Sequence, residues 1–329
     1  MKNVKKIGLS ALAGSLVAFS ANAVEMGVSG TAEVTYTTNG GNVANTNTGN
    51  AWGANNSISF SAEGDVGFGT AKIVRTLNDN VSDNWLSAWQ TLDLGSMGTL
   101  SFDAVGGGLE GTTAHDDILP TAYEEVWNGV AGTGVLGAGS NDTIGYSNTF
   151  AGVTLSLART DGGTAGSGDG GNDADTSTSN ISDWHLKAAV PFVEGLTVAY
   201  GESTTDFALA GETDDTSNVG HILYSAGNLS IGYRGATMED GTDGANATEV
   251  EAYAIAFNVN DELSVSVAQQ DTEFDVPSGT NVTEDVDAIN ASYTMGAASV
   301  RATISDSNND AGVTGAKDEH MEISLVLAF

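Results

Sequence analysis

The chain has 329 residues, no cysteine, three prolines and 43 glycines, and its 43 acidic against 10 basic side chains give a formal charge of −33. Without cysteine there can be no disulfide framework, thiolate metal site or cysteine nucleophile, and a surface this acidic repels nucleic acid. The proline content is too low and the patterning too regular for a disordered chain, while the mean hydropathy of −0.08 is close to neutral.

The first element in chain order is a leader. Lys2, Lys5 and Lys6 precede an apolar run from Ile7 to Phe19 and the small-residue triplet Ala21, Asn22, Ala23, the layout of a secretory signal peptide, with an apolar run too short to cross a bilayer comfortably. The expected organisation is a signal peptide over residues 1–23 and one domain over 24–329. Cleavage there would leave seven basic side chains against all 43 acidic ones. No later apolar run is long enough for a transmembrane helix, so a spanning protein would have to be a closed barrel.

Strand signals follow, in segments of about ten residues with one apolar parity. Val28, Ala32, Val34 and Tyr36 alternate with Ser29, Thr31, Glu33 and Thr35, and Ile58, Phe60 and Ala62 with Ser57, Ser59, Ser61 and Glu63. Further on, Leu229, Ile231 and Tyr233 oppose Ser230, Gly232 and Arg234; Leu263, Val265 and Val267 oppose Ser264, Ser266 and Ala268; Val300, Ala302 and Ile304 oppose Ser299, Arg301, Thr303 and Ser305. The last segment ends on "EISLVLAF", with Met321, Ile323, Leu325, Leu327 and Phe329 on one parity. Seven short turns, at 64–69, 95–98, 149–152, 191–195, 226–228, 258–262 and 295–297, alternate with eight long polar stretches, at about 39–55, 78–84, 105–141, 161–183, 204–218, 239–248, 271–284 and 306–319. Together they join sixteen strands, and an even number with one short-looped and one long-looped rim predicts an all-β, transmembrane antiparallel β-barrel. A secreted β-sandwich or solenoid would also alternate, but neither requires the strict loop alternation, and no fixed repeat is present.

Three stretches carry a family resemblance. "MEISLVLAF" with its final Phe329 looks like the signal read by the outer-membrane assembly machinery. "NDTIGYSNTFAGVTLSLA", Asn141 to Ala158, and "LGSMGTLSFD", Leu94 to Asp103, look like strands flanking a constriction loop. The chain thus resembles the sixteen-stranded general porins of Gram-negative bacteria. The resemblance implies a passive channel exported to the outer membrane, set among its lipids, usually homotrimeric, with an inward-folded third extracellular loop. Here that loop carries Asp116, Asp117, Glu124 and Glu125, the candidates for an acidic constriction. Face parity turns Lys72, Lys187, Arg234 and Arg301 toward the lumen, with Glu33, Glu63 and Asp103. The family often has an arginine after the "GTLSF" strand, whereas this chain has Asp103 and Ala104, which departs from the usual basic cluster.

A carboxylate ring in a narrow aqueous pore favours cations, so the expected function is diffusion of small hydrophilic solutes with a cation preference. The alternatives are a channel specific for an oligosaccharide or other nutrient, and a non-conducting surface receptor, adhesin or structural barrel. Asp161, Asp169, Asp173 and Asp175 in the Gly-rich fourth loop are oxygen donors of the kind calcium takes, but without the closing glutamate of a calcium loop they read better as a solvated tip; no other cofactor is expected. The stretch "AHDD" at 114–117 offers adjacent His and Asp residues without the geometry or structural context of a catalytic base, so no enzyme is expected. Trp85, Trp89 and Trp184 fit an interfacial girdle better than sugar-stacking platforms in the pore.

Overall fold

The computed structural model describes residues 24–43, 50–78, 85–105, 112–115, 117–132, 142–161, 180–207, 214–239, 248–275 and 279–329. The expected signal peptide lies outside the described residues. Sixteen strands follow one another: β1 (Glu25–Gly41), β2 (Trp52–Asp65), β3 (Thr70–Asn78), β4 (Trp85–Asp93), β5 (Thr99–Val105), β6 (Thr143–Phe150), β7 (Val153–Thr160), β8 (Asn180–Ala189), β9 (Leu196–Asp206), β10 (Asp215–Ala226), β11 (Leu229–Glu239), β12 (Thr248–Asn258), β13 (Leu263–Phe274), β14 (Val282–Met295), β15 (Ala298–Asn308) and β16 (Lys317–Ala328). Each pairs antiparallel with its sequence neighbours, and β16 pairs with β1, closing the barrel. Closure leaves no edge to pair with another chain.

The seam is held by reciprocal backbone bonds, Gly30 N–H to Phe329 O at 2.8 Å and Phe329 N–H to Gly30 O at 3.0 Å. Phe329 folds its ring over Gly30, where an added Cβ would lie 2.6 Å from the ring; only glycine admits that approach.

The two faces of the wall are inverted relative to a soluble protein. Ile289, Val267, Ile304, Leu325 and Leu327 are exposed on the outer parity, while Ser266, Asn290, Thr303, Ser305 and Ser324 are buried on the inner one. Small polar side chains fill a curved inner wall without crowding it, and branched apolar ones present the outer face that lipid requires. The short turns are tied by side-chain carbonyl and carboxylate oxygens: Asp93 Oδ1 accepts from Gly95 N–H at 2.7 Å and Asn260 Oδ1 from Glu262 N–H at 2.9 Å.

The strands run further into the long-looped rim than the sequence predicts. The stretch expected as a loop over 306–319 reduces to 309–316, and that over 39–55 to 42–51. Beyond the apolar band both faces are polar, so alternation vanishes while the backbone ladder continues, as in Asp306 opposite Glu319 and Thr37 opposite Glu322.

Candidate channel wall and the segment on its inner face

Between β5 and β6 the chain leaves the wall. Its described part, residues 112–115 and 117–132, makes its contacts with the inner parity of β8 to β16. Val126 and Val130 form a buried cluster with Val286 and Ala288 of β14. Ala122 N–H donates to Ser266 Oγ of β13 at 2.9 Å, and Asn290 of β14 grips Glu124 twice, accepting from its N–H at 3.2 Å and donating to its carbonyl at 3.0 Å. Gln270 Nε2 donates to Gly132 O at 2.9 Å. Tyr123 OH donates to Glu322 Oε1 of β16, and the Arg301 guanidinium lies 5.6 Å over the Tyr123 ring. At its far end Gly129, with φ +77°, lies against His320; a Cβ there would be 2.5 Å from the imidazole.

The acids expected at a constriction fall into two environments. Glu124 is half-buried and its carboxyl is raised, first by burial and then by Glu322; Tyr123 hydrogen bonding pulls it back down, and smaller effects come from Glu33 (raising) and Arg301 (lowering). Glu33 accepts from Ser324 Oγ. Glu124, Glu322 and Glu33 therefore form one acidic group, into which β1, β16 and the segment each contribute a carboxylate. Glu125 is pushed up to about 8, by burial and then by its hydrogen bond with Asp117. Two carboxyls that share a hydrogen bond hold one proton between them. Asp116 lies outside the described residues.

The basic residues of the inner parity are placed unequally. Lys72 pairs with Glu63 at 3.6 Å and lies 5.9 Å from the centroid of the Trp89 ring. Lys187 is exposed on β8. Arg234 faces inward yet has no exposed surface: its guanidinium donates to Gln270 Oε1 at 2.8 Å and is capped by the Trp127 ring at 4.6 Å. Asp103 is likewise buried on the inner face. The cross-strand partners therefore put on one parity the seven residues that the sequence assigns to the lumen.

Trp89 corrects the girdle expectation. It pairs with Val74, on the parity of Lys72 and Thr76, so it points inward; it shares no face with Trp184, which packs against Tyr200 on the outer wall at 5.8 Å between centroids. The Trp85 side chain is outside the described set. Tyr36 and Trp52 meet at 5.1 Å on the outer face instead. Asp161 is paired with Arg159 at 2.5 Å; Asp169, Asp173 and Asp175 lie outside the described residues. Among those described, no three His, Asp or Glu side chains are arranged to hold a metal ion.

Sequence reasoning missed Glu322, although it sits on the inner parity of the last strand. It also missed that His115, His185 and His221, scattered in sequence, come together. His115 Nδ1 and His221 Nδ1 are 3.1 Å apart, and the His115 and His185 rings meet edge to face at 4.4 Å.

The sequence matches no protein-family model and no curated protein. Solved structures do match. The anion-selective porin of Comamonas acidovorans is similar at 11% identity and TM-score 0.66, over 93% of this chain and 100% of that one. OmpF of Salmonella typhi, in complex with daunomycin, gives 11% and 0.66 over 94% and 98%. OmpT of Vibrio cholerae, an outer membrane protein in trimer form, gives 13% and 0.67 over 93% and 100%. At these identities the likeness lies in the fold, and this chain shares with outer-membrane porins a closed, sixteen-stranded antiparallel barrel.

Proposed function

We propose that the chain forms a water-filled channel across the outer membrane, through which small hydrophilic solutes diffuse passively, with cations preferred. The observation that carries this reading is a polar inner wall with a segment packed on half of it, presenting Glu124 beside Glu33 and Glu322. On β3 the inward Lys72 is already paired with Glu63 of β2. Of the four inward basic residues, Arg234 is sealed under Trp127 and is lost to permeating ions. Arg301, over the Tyr123 ring, is the one guanidinium acting on Glu124, and three carboxylates gathered about it leave a net negative group, which lowers the potential for cations. An anion-selective porin has the same fold, so selectivity resides in these side chains, not in the barrel. The chemistry asked of the chain is passage, and it acts without catalysis.

The protein would work as a homotrimer in the outer membrane, delivered by the leader and assembled through the strand ending at Phe329. Arg75 supports the trimer: on the outer parity, opposite Phe60 and Ala88, it donates to the carbonyls of Val74 and Trp89 at 2.8 and 3.1 Å. A charge on that face is costly in lipid and calls for protein cover. Next to it an apolar outer groove of about 750 Å³ is lined by Phe68, Ile73, Leu92, Leu100 and Phe102.

The test is the reversal potential of the purified protein in a planar bilayer under a potassium chloride gradient. A cation-selective potential is expected, weakened in Glu124→Gln and Glu322→Gln. A folded barrel without conductance would overturn the reading in favour of a receptor or structural role. A second reading, a channel for a sugar-like solute, draws on inward-facing Trp89, a flat ring on which a pyranose can stack; block of ion current by oligosaccharide, relieved in Trp89→Ala, would establish it.

A further inference from the structure

We infer that the inward segment is held to the wall by an acid-sensitive histidine latch at its His115 end. The inference rests on the channel reading and names a regulation of that same site. The chain has four histidines, and all four belong to the segment or touch its anchors. His115 lies in the 3₁₀ turn Thr112–His115, which packs against β8, β9 and β10. Its ring meets His185 and His221 at centroid distances of 4.4 and 5.0 Å, and the three side chains are 4%, 8% and 2% exposed. His115 Nε2, His185 Nδ1 and His221 Nε2 are buried and find no hydrogen-bond partner among the described residues.

Such a cluster holds together while it is neutral. The Nδ1 contact of His115 and His221 needs one donor and one acceptor. A first proton would add an N–H with no acceptor, and a second would set donor against donor. The surroundings offer little relief. From β8, Lys187 adds positive charge and Asp183 partly offsets it near His185; β11 adds Arg234 near His221. β9 turns inward with Ala199, Gly201 and Ser203 and contributes no charge. Burial, then His185, His221 and Lys187, lower His115 to about 3.

The sign follows. With the latched value depressed below the ordinary 6.5, the released state binds more protons, so the latch is intact above pH 6.5 and weakens as pH falls below it. The loss is about tenfold in the latch equilibrium per pH unit for each proton taken up. The other end of the segment behaves differently. There the anchor is apolar, Val126 and Val130 packing on Val286 and Ala288, while His320, under Gly129, hydrogen-bonds Asn39 at 2.8 Å and has Glu322 at 4.0 Å. Val126 and Val130 carry no titratable group at all. Acid therefore frees one end of the segment and leaves the other anchored, changing the bore without unfolding the barrel.

The test is backbone hydrogen exchange over residues 112–117 of the folded protein in detergent, corrected for intrinsic rate, together with single-channel current, from pH 7.5 to 4.5. Protection is expected to fall at least tenfold between pH 7 and 5, with current fluctuations appearing over the same range, and both steps should vanish in His185→Gln/His221→Gln. Unchanged protection in the unmodified protein would overturn the latch. So would the same step persisting in the variant, which would assign it to groups outside the histidine cluster. Gain of protection with zinc ion at pH 7.5 would overturn it in favour of a metal centre. Exchange needs no conductance, so failure of the channel reading and failure of the latch are separable, and the unmodified protein decides even where the variant fails to fold.

Discussion

Glu124 and Glu125 are adjacent in sequence and differ in what they contribute. Glu125 shares a proton with Asp117 and is held up to about 8, so Glu125→Gln at pH 6.5 is expected to leave the reversal potential unchanged. Above pH 8 the unmodified channel gains a charge that this variant lacks, and the two should diverge, with the unmodified one more cation-selective. Arg234 gives a test of the opposite sign. It is inward by parity, which the sequence shows, but sealed by Trp127, which the sequence cannot show because the two are 107 positions apart. Trp127→Ala should open the guanidinium to the lumen and lower the cation preference, read as a fall in reversal potential. Parity reports which way a side chain leaves the backbone; what lies on top of it is set by tertiary contacts. The same limit hid the histidines, whose meeting depends on where a long segment lands.

At the scale of the element, legibility followed physical cause. Within the apolar band each strand has one wet and one lipid face, so "ASVRATIS" and "EISLVLAF" declared their orientation and all sixteen strands could be counted. Toward the long-looped rim both faces are wet, and three residues at a strand end, as in Asp306 to Asn308, joined the ladder unannounced. Trp89 was misread for a related reason: an aromatic near a strand end fits either face, and only the pairing with Val74 decides. At the seam, Gly30 is required by the ring of Phe329. Gly30→Val should overpack that contact, at a cost of about 1–3 kcal/mol, seen as a lower unfolding temperature on heat-modifiability gels.

For the whole molecule, selectivity should depend on ionic strength. Carboxylates act over about 10 Å at 0.1 M salt and about 3 Å at 1 M, so the cation preference should shrink across that range at a constant concentration ratio. Persistence of the same preference at 1 M would mean that ions pass in direct contact with Glu124, Glu322 and Glu33. The inverted faces of the wall carry one more consequence. Because the apolar residues of most strands alternate with polar or small ones, the extended chain has few long oily runs among its strands, and its surplus of negative charge keeps copies apart. The buried apolar clusters among the described residues are small; most of the apolar face is satisfied by the surrounding solvent. A urea-dissolved chain should therefore remain dispersed on dilution and acquire its strands when micelles are added, so that folding is triggered by arrival at an interface.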